Sequence, residues 1–350
     1  MKPLERVTLE QRANRARPRT VTWYRTPLDP KELKALHERS DWLGAFQTLG
    51  YLGILIATGS AAYFAAGRLP WPVVALLIFL HGTCYAFQIN AVHELGHGTV
   101  FRTKIWNRFF ARVFAFLGWI NTEAFHSSHA QHHRYTLHPP DDLEVVLPIR
   151  LTIRQFFRIG FIQPLGLWGA VRFHWRIARG KFKGDWENTL FPVAEPRKQA
   201  PPIRWARTVL IGHGLLLALF ILTGQWMLIV LVTLAPFYGG ALFFLCNSTQ
   251  HVGLQDNTAD FRLCCRTFLL NPVVRFLYWQ MNYHIEHHMY AAVPCYRLGR
   301  LHRLIRHDLA PCPVGIVGVW REIITILRRQ EQEPGYQYAA PVPGTAPASR

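Results

Sequence analysis

Charge is scarce in this chain. Of its 350 residues only 17% are Asp, Glu, Lys or Arg, against roughly 25% in an ordinary soluble domain. Acids are the scarcer sign: 21 Asp and Glu stand against 39 Lys and Arg, a formal net charge of +18. Cysteine is sparse too. Cys84, Cys246, Cys264, Cys265, Cys295 and Cys312 form no C-x-x-C pair, which excludes a disulfide scaffold. The first 40 residues are polar and Arg-rich, without the apolar core of a cleavable signal peptide. Apolar residues are not scarce. Half the chain is hydrophobic and 13% is aromatic, enough buried surface to exclude disorder. A basic protein often meets nucleic acid, but an apolar basic one points at least as strongly to a membrane surface. No nucleic-acid reading motif is present, so membrane lipid is the expected partner and nucleic acid is not.

A helix needs about 20 apolar residues to cross a bilayer. Residues 45–66 and 71–92 qualify, separated by a short G-R-L-P turn, and so do 207–223 and 226–246, separated by G-Q. The expectation is an all-α integral membrane protein with four spans in two hairpins. Arg68 is the one basic residue in the two hairpin turns. The positive-inside rule then puts both termini and the long middle segment in the cytoplasm, with the protein in a cytoplasmic or inner membrane. Residues 1–44 form an N-terminal segment with an interfacial helix over 31–41, opened by Asp29 as N-cap and Pro30 in the first turn. Residues 45–310 form the membrane domain, and 311–350 a C-terminal helix with a Pro/Ala-rich tail expected to be disordered. The apolar stretch 156–177, broken by Pro164 and several Arg, reads as interfacial.

Histidine is concentrated. Of 17 His, ten fall into four compact groups. These are His93-Glu94-Leu95-Gly96-His97; His126-Ser-Ser-His129-Ala-Gln-His132-His133; Asn247-Ser-Thr-Gln-His251; and Asn282-Tyr-His284-Ile-Glu-His287-His288. Residues i, i+3 and i+4 share one helix face, so each multi-His group can aim its imidazoles at one place. Neutral imidazole is the commonest protein metal ligand. His93, His97, His129, His132, His133, His251, His284, His287 and His288 are too many for one ion and suit two, with open positions. Imidazole accepts Zn, Cu, Fe or Ni, so the metal stays undecided on this ground. His126 reads as structural or as a support for a ligand. His37, His81, His138, His174, His213, His302 and His307 fall outside the pattern.

H-E-L-G-H, then H-A-Q-H-H-R-Y-T, then N-Y-H-I-E-H-H-M-Y-A-A-V-P resembles the three histidine boxes of membrane fatty-acid desaturases and hydroxylases. Asp141-Asp142-Leu143-Glu144 and N-S-T-Q-H add to the likeness, which spans about residues 30–310. The resemblance implies a four-helix membrane stem under a cytoplasmic helical cap holding two irons. The nine histidines above would be ligands, with Asn247 reaching a metal through water. His126 makes the second box longer than the family's usual form, and Tyr290-Ala291-Ala292 replaces its commoner run. O2 would be co-substrate and a lipid chain the substrate: loss of two hydrogens gives a double bond, and return of oxygen gives an alcohol. No haem motif or Cys cluster is present, so electrons would come from a separate ferredoxin-like or cytochrome-type protein. Arg262, Arg266, Arg275, Arg297 and Arg300 are candidates to dock it, with lipid headgroup contact as the plainer role of each.

Three rivals have weaker support. H-E-x-x-H is also a zinc-protease signature, with Glu94 as base, but it leaves seven histidines unemployed. In the di-iron reading Glu94 orients a ligand imidazole instead. A metal transporter needs polar groups at the bilayer midplane, and these spans carry almost no acids. Hydroxylation or ketolation of a lipid, carotenoid or small amino-acid-derived substrate would use the same site. Oligomeric state is not legible.

Overall fold

The computed structural model describes residues 20–344. The Arg-rich stretch before Thr20 and the end of the tail lie outside the described residues. Among those described, the chain is helical, with isolated bridges and no strand.

Helix α1 (Pro30–His37) starts where its cap predicts. Asp29 Oδ1 accepts from the backbone N–H of Lys31 at 2.7 Å and of Glu32 at 3.3 Å. Ser40 then caps α2 (Asp41–Ala65), so the first apolar helix begins a turn before its hydropathy does. The second apolar run is α3 (Trp71–Tyr85) followed by α4 (Gln88–Gly96), and the third is α10 (Pro196–Leu222). Residues 41–65, 71–96 and 196–222 are each long and apolar enough to cross a membrane. Their exposed side chains include Phe46, Ile56, Leu76, Leu80, Leu215 and Leu222. Water would penalise such a surface, whereas hydrocarbon does not.

The fourth run departs from expectation. Residues 226–246 are not one helix. A single turn (Trp226–Leu228), a π-turn (Ile229–Thr233) and a 3-10 turn (Ala235–Phe237) lead through Tyr238-Gly239-Gly240 into a short helix, Ala241–Asn247. Pro236 has no N–H to continue a helix. Gly239 sits at φ +72°, and a Cβ there would lie 2.6 Å from the backbone N of Thr83. The freed backbone groups are satisfied by a neighbouring gap: Gln163 N–H donates to Phe237 O at 2.7 Å, and Gly239 N–H to Phe161 O at 2.9 Å. That gap separates α7 (Ile153–Gly160) from α8 (Pro164–Ala178). This pair exposes Phe157, Leu165, Trp168 and Trp175 among arginines, the amphipathic pattern of an interfacial segment.

Helices α5 (Lys104–Leu117), α6 (Thr122–Tyr135) and α9 (Gly184–Leu190) stand between the apolar helices. Helix α11 is the Ala241–Asn247 segment, and α12 (His284–Met289), α13 (Cys295–Ile305) and α14 (Gly315–Gln332) close the chain. The core runs from α4 and α5 to residues 277–285 and α13, with Tyr51, Phe114 and Trp279 packed ring against ring. The tail composition suggests disorder, yet residues up to Gly344 lie along the loop after His251. Tyr338 N–H donates to Gly253 O at 2.9 Å, Gln337 Nε2 to Asp256 Oδ1 at 2.9 Å, and Val342 is buried. Backbone pairing with that loop replaces the apolar surface the tail lacks.

Candidate metal centre

Four segments far apart in sequence deliver the histidines. Helix α4 carries His93 and leads into His97, α6 carries His129, His132 and His133, the turn after α11 carries His251, and α12 carries His284, His287 and His288. They sort into two sets. His93, His97, His129, His133 and His287 form one, and His132, His251, His284 and His288 the other. In each set one ligand atom per residue lies within 4.8 Å of the rest. The adjacent pairs His132/His133 and His287/His288 are split between the sets, because neighbouring helix positions point about 100° apart. Asn247 ends α11, one turn before His251, and is half-buried.

Carboxylates and carbonyls on the far side of the rings decide which nitrogen faces inward. His93 Nδ1 meets Glu94 Oε1 at 2.9 Å, His129 Nδ1 meets Glu144 Oε1 at 2.8 Å, and His132 Nδ1 meets Asp142 Oδ2 at 2.8 Å. His251 Nδ1 donates to Cys264 O at 2.8 Å. Thr136 gives its proton to His132 O, so its oxygen accepts from His288 Nδ1 at 3.2 Å. A neutral imidazole that donates from Nδ1 carries its lone pair on Nε2. Five rings therefore aim lone pairs into the centre.

Most of the inward atoms have no partner or only one another. Among the described residues, Nε2 of His93, His97, His129 and His288 is buried with no hydrogen bond. His133 Nε2 stands 3.0 Å from His287 Nε2, and His284 Nε2 3.0 Å from His251 Nε2. Two nitrogens each about 2.1 Å from one ion, at right angles, stand about 3.0 Å apart. Converging buried lone pairs are costly without a cation between them, so these residues fit one metal ion per set.

Electrostatics keep the rings ready to bind. Burial, with His126 nearby, lowers the pKa of His97 to about 4, and burial lowers that of His251 to about 3. Both are neutral near pH 7, as metal ligation requires. Burial opposes charge on His132, but its hydrogen bond to Asp142 and the charges of Asp142 and Glu144 together outweigh this and raise its pKa. Burial would push the Asp142 carboxyl up. The hydrogen bonds from His132 and from the N–H groups of Leu137 and Glu144 hold it below its ordinary value instead.

Other sequence-marked residues are resolved by their contacts. His126 is not in either set. Its Nε2 donates to Val92 O at 3.2 Å and its Nδ1 meets Thr122 Oγ1 at 3.3 Å. It packs on Gly96, where a Cβ would lie only 2.0 Å from the ring. The long second box and the glycine of the first are thus one packing solution. Glu94 is engaged by His93, and a second ring, His287 Nδ1, lies 3.4 Å away. It is not free to act as a protease base. Arg262 and Arg266, candidates to meet a redox partner, are buried. Arg262 pairs with Asp260 and Asp308, and Arg266 with Glu322. Arg275 donates to Tyr283, Arg297 faces Glu38, and Arg300 pairs with Glu32. These five tie the fold together.

Sequence reasoning assigns no role to Asp142, Glu144, Thr136 or the pair Glu286–His302. Glu286 is fully buried but points away from the metal sets, to Thr267 Oγ1 and to His302 Nδ1. The run Asp141–Glu144 signals the first two, because carboxylates behind ligand histidines fix their tautomer. Nothing in sequence joins Glu286 to His302, sixteen residues on.

A helical chain with three membrane-length apolar helices and a double histidine site able to hold metal ions is, in class, a membrane protein with a candidate metal centre. The Fatty acid desaturase family model matches residues 69–317. That is well over half the chain, and it contains every box; the protein belongs to this family. Its activity is accordingly that of a lipid-directed oxidoreductase of the desaturase or hydroxylase type, in an integral membrane setting. Among curated proteins none matches the chain.

Proposed function

We propose that this protein is an O2-dependent di-iron desaturase that introduces a double bond into a fatty-acyl or related lipid chain. The observation that carries the reading is the sorting of nine box histidines into one set of five and one of four. Two irons so held would activate O2 for removal of hydrogen from an unactivated C–H bond. His93, His97, His129, His133 and His287 hold one ion. His132, His251, His284 and His288 hold the other, and Asn247 supports it through a water, making up for the missing fifth ring. Glu94, Glu144 and Asp142 keep the protons on the outer ring nitrogens and so keep the inner lone pairs free. Burial of the boxes excludes water from the reacting chain.

In this reading the cap faces the cytoplasm, since the basic residues flank the apolar helices on one side. The broken segment 226–246 makes the fourth crossing, with its freed backbone groups covered by Phe161 and Gln163 as hydrocarbon surroundings demand. Electrons come from a separate small redox protein.

The test is mass spectrometry of lipids and polar metabolites from a host carrying the gene, or the gene with His284→Ala and His287→Ala. A species two hydrogens lighter, absent with the variant, is the expected result. One oxygen heavier makes the enzyme a hydroxylase on the same centre. Native protein holding stoichiometric zinc and no iron would refute the oxidative mechanism.

A further inference from the structure

The second histidine set is buried throughout, so in the di-iron reading, on which the relay described here rests, electrons must cross protein to reach it. Residues 23–26 cross the outside of the site as a strap. Trp23 is half-buried and stacks on Phe261, with ring centroids 4.1 Å apart and planes 10° from parallel. Phe261 is buried, and its ring lies 5.5 Å from that of His288. An unbroken line of rings therefore joins the surface to the second histidine set.

The strap is anchored to segments that bear the boxes. Trp23 Nε1 donates to Arg134 O at 3.0 Å, one residue beyond His133. Tyr24 N–H donates to Ala259 O at 2.8 Å, and Arg25 Nε to Met289 O at 2.8 Å. Tyr24 Oη and Thr26 Oγ1 each donate to Asp308 Oδ2 at 2.7 Å. The surface around it is basic. Arg25, Arg134 and Arg306 are exposed, and none has a carboxylate partner among the described residues. The nearby acids, Asp260 and Asp308, are paired with buried Arg262. The strap packs on α6, α12 and the loop at Phe261.

We propose that this strap is the docking face for a small acidic one-electron carrier, and that electrons pass inward through Trp23, Phe261 and His288. Each carrier molecule gives up one electron and leaves oxidised by one. Two deliveries supply the pair the reaction consumes, and no bond in the relay forms or breaks.

The probe is a reduced plant-type [2Fe–2S] ferredoxin. Its binding is measured on the metal-free full chain in detergent, and its reoxidation by stopped flow on the metal-loaded chain. Arg25→Glu, Arg134→Glu and Arg306→Glu together weaken binding on the order of tenfold at low salt and flatten its salt dependence. Trp23→Leu leaves binding intact and slows ferredoxin reoxidation several-fold. Trp23→Phe, which keeps a ring over Phe261, restores most of the rate. Dithionite needs no docking and reduces all variants alike. Ferredoxin that fails to bind, or binds the triple variant as tightly as the parent, overturns the docking face. A Trp23→Leu protein that oxidises ferredoxin at the parent rate overturns the route. A parent protein that dithionite cannot reduce refutes the di-iron reading instead.

Discussion

Replacing Asp142 by Asn exchanges one carboxylate oxygen for an NH2 at nearly constant size. Asp142 is fully buried, and both its oxygens are in use. Oδ2 accepts from His132 Nδ1 at 2.8 Å and from Leu137 N–H at 2.8 Å, while Oδ1 accepts from Glu144 N–H at 2.9 Å. An amide has one acceptor oxygen. Whichever way it is turned, its NH2 faces a donor: Glu144 N–H in one orientation, His132 and Leu137 N–H in the other. If the amide keeps the His132 bond, that bond loses its charge, and the opposite contact becomes donor against donor. A charge-assisted hydrogen bond lost in a buried site costs about 2 kcal/mol, or roughly thirtyfold in affinity for the ion that His132 binds. Only the His132/His251/His284/His288 set contains that ring. Chelator titration followed by elemental analysis should therefore show one ion per chain released roughly thirtyfold more readily, with the other unaffected. Equal resistance of both ions to chelator, at the parent level, would refute the claim that Asp142 holds the His132 tautomer. Loss of both together would refute the independence of the two sets.

Two further outcomes are expected. The metal-free protein should lose stability in acid: folded His97 and His251 titrate at about 4 and about 3, whereas a free imidazole titrates near about 6.5. The unfolded chain thus takes up protons first, so stability declines as pH falls from about 6.5 towards about 3; a melting temperature in detergent that does not drop between neutral and mildly acid pH would contradict this. Gly96→Ala should destabilise by about 1–3 kcal/mol because its Cβ would collide with His126. Adding His126→Ala should recover much of that loss, and a double variant no more stable than the single one would show that the contact is not the cause.

The candidate ligands are legible in sequence because helix periodicity is local. His93/His97, His129/His132/His133 and His284/His287/His288 each need only the rule that i, i+3 and i+4 share a face. The residues behind them are less so. Asp142 and Glu144 lie in a motif that is visible without its role, since the reversal of the chain after α6 that returns them to His132 and His129 is a tertiary event. His302 falls outside the boxes because its partner, Glu286, sits on another helix. The fourth apolar run reads as one helix since hydropathy averages over Pro236 and Gly239, whereas a backbone cannot.

By itself the sequence determined where three apolar helices and the histidine boxes lie, because hydropathy and helical spacing are properties of short windows. It also determined the family. Only the tertiary structure decided which histidine joins which set. His132 and His133 are neighbours in the chain, yet they diverge on the helix surface and meet rings brought from α4, the turn after α11, and α12. The tertiary structure alone also showed that Arg262 and Arg266 are buried braces, and that Trp23 lies over Phe261. Such facts depend on how distant segments pack, and no local pattern of residues encodes them.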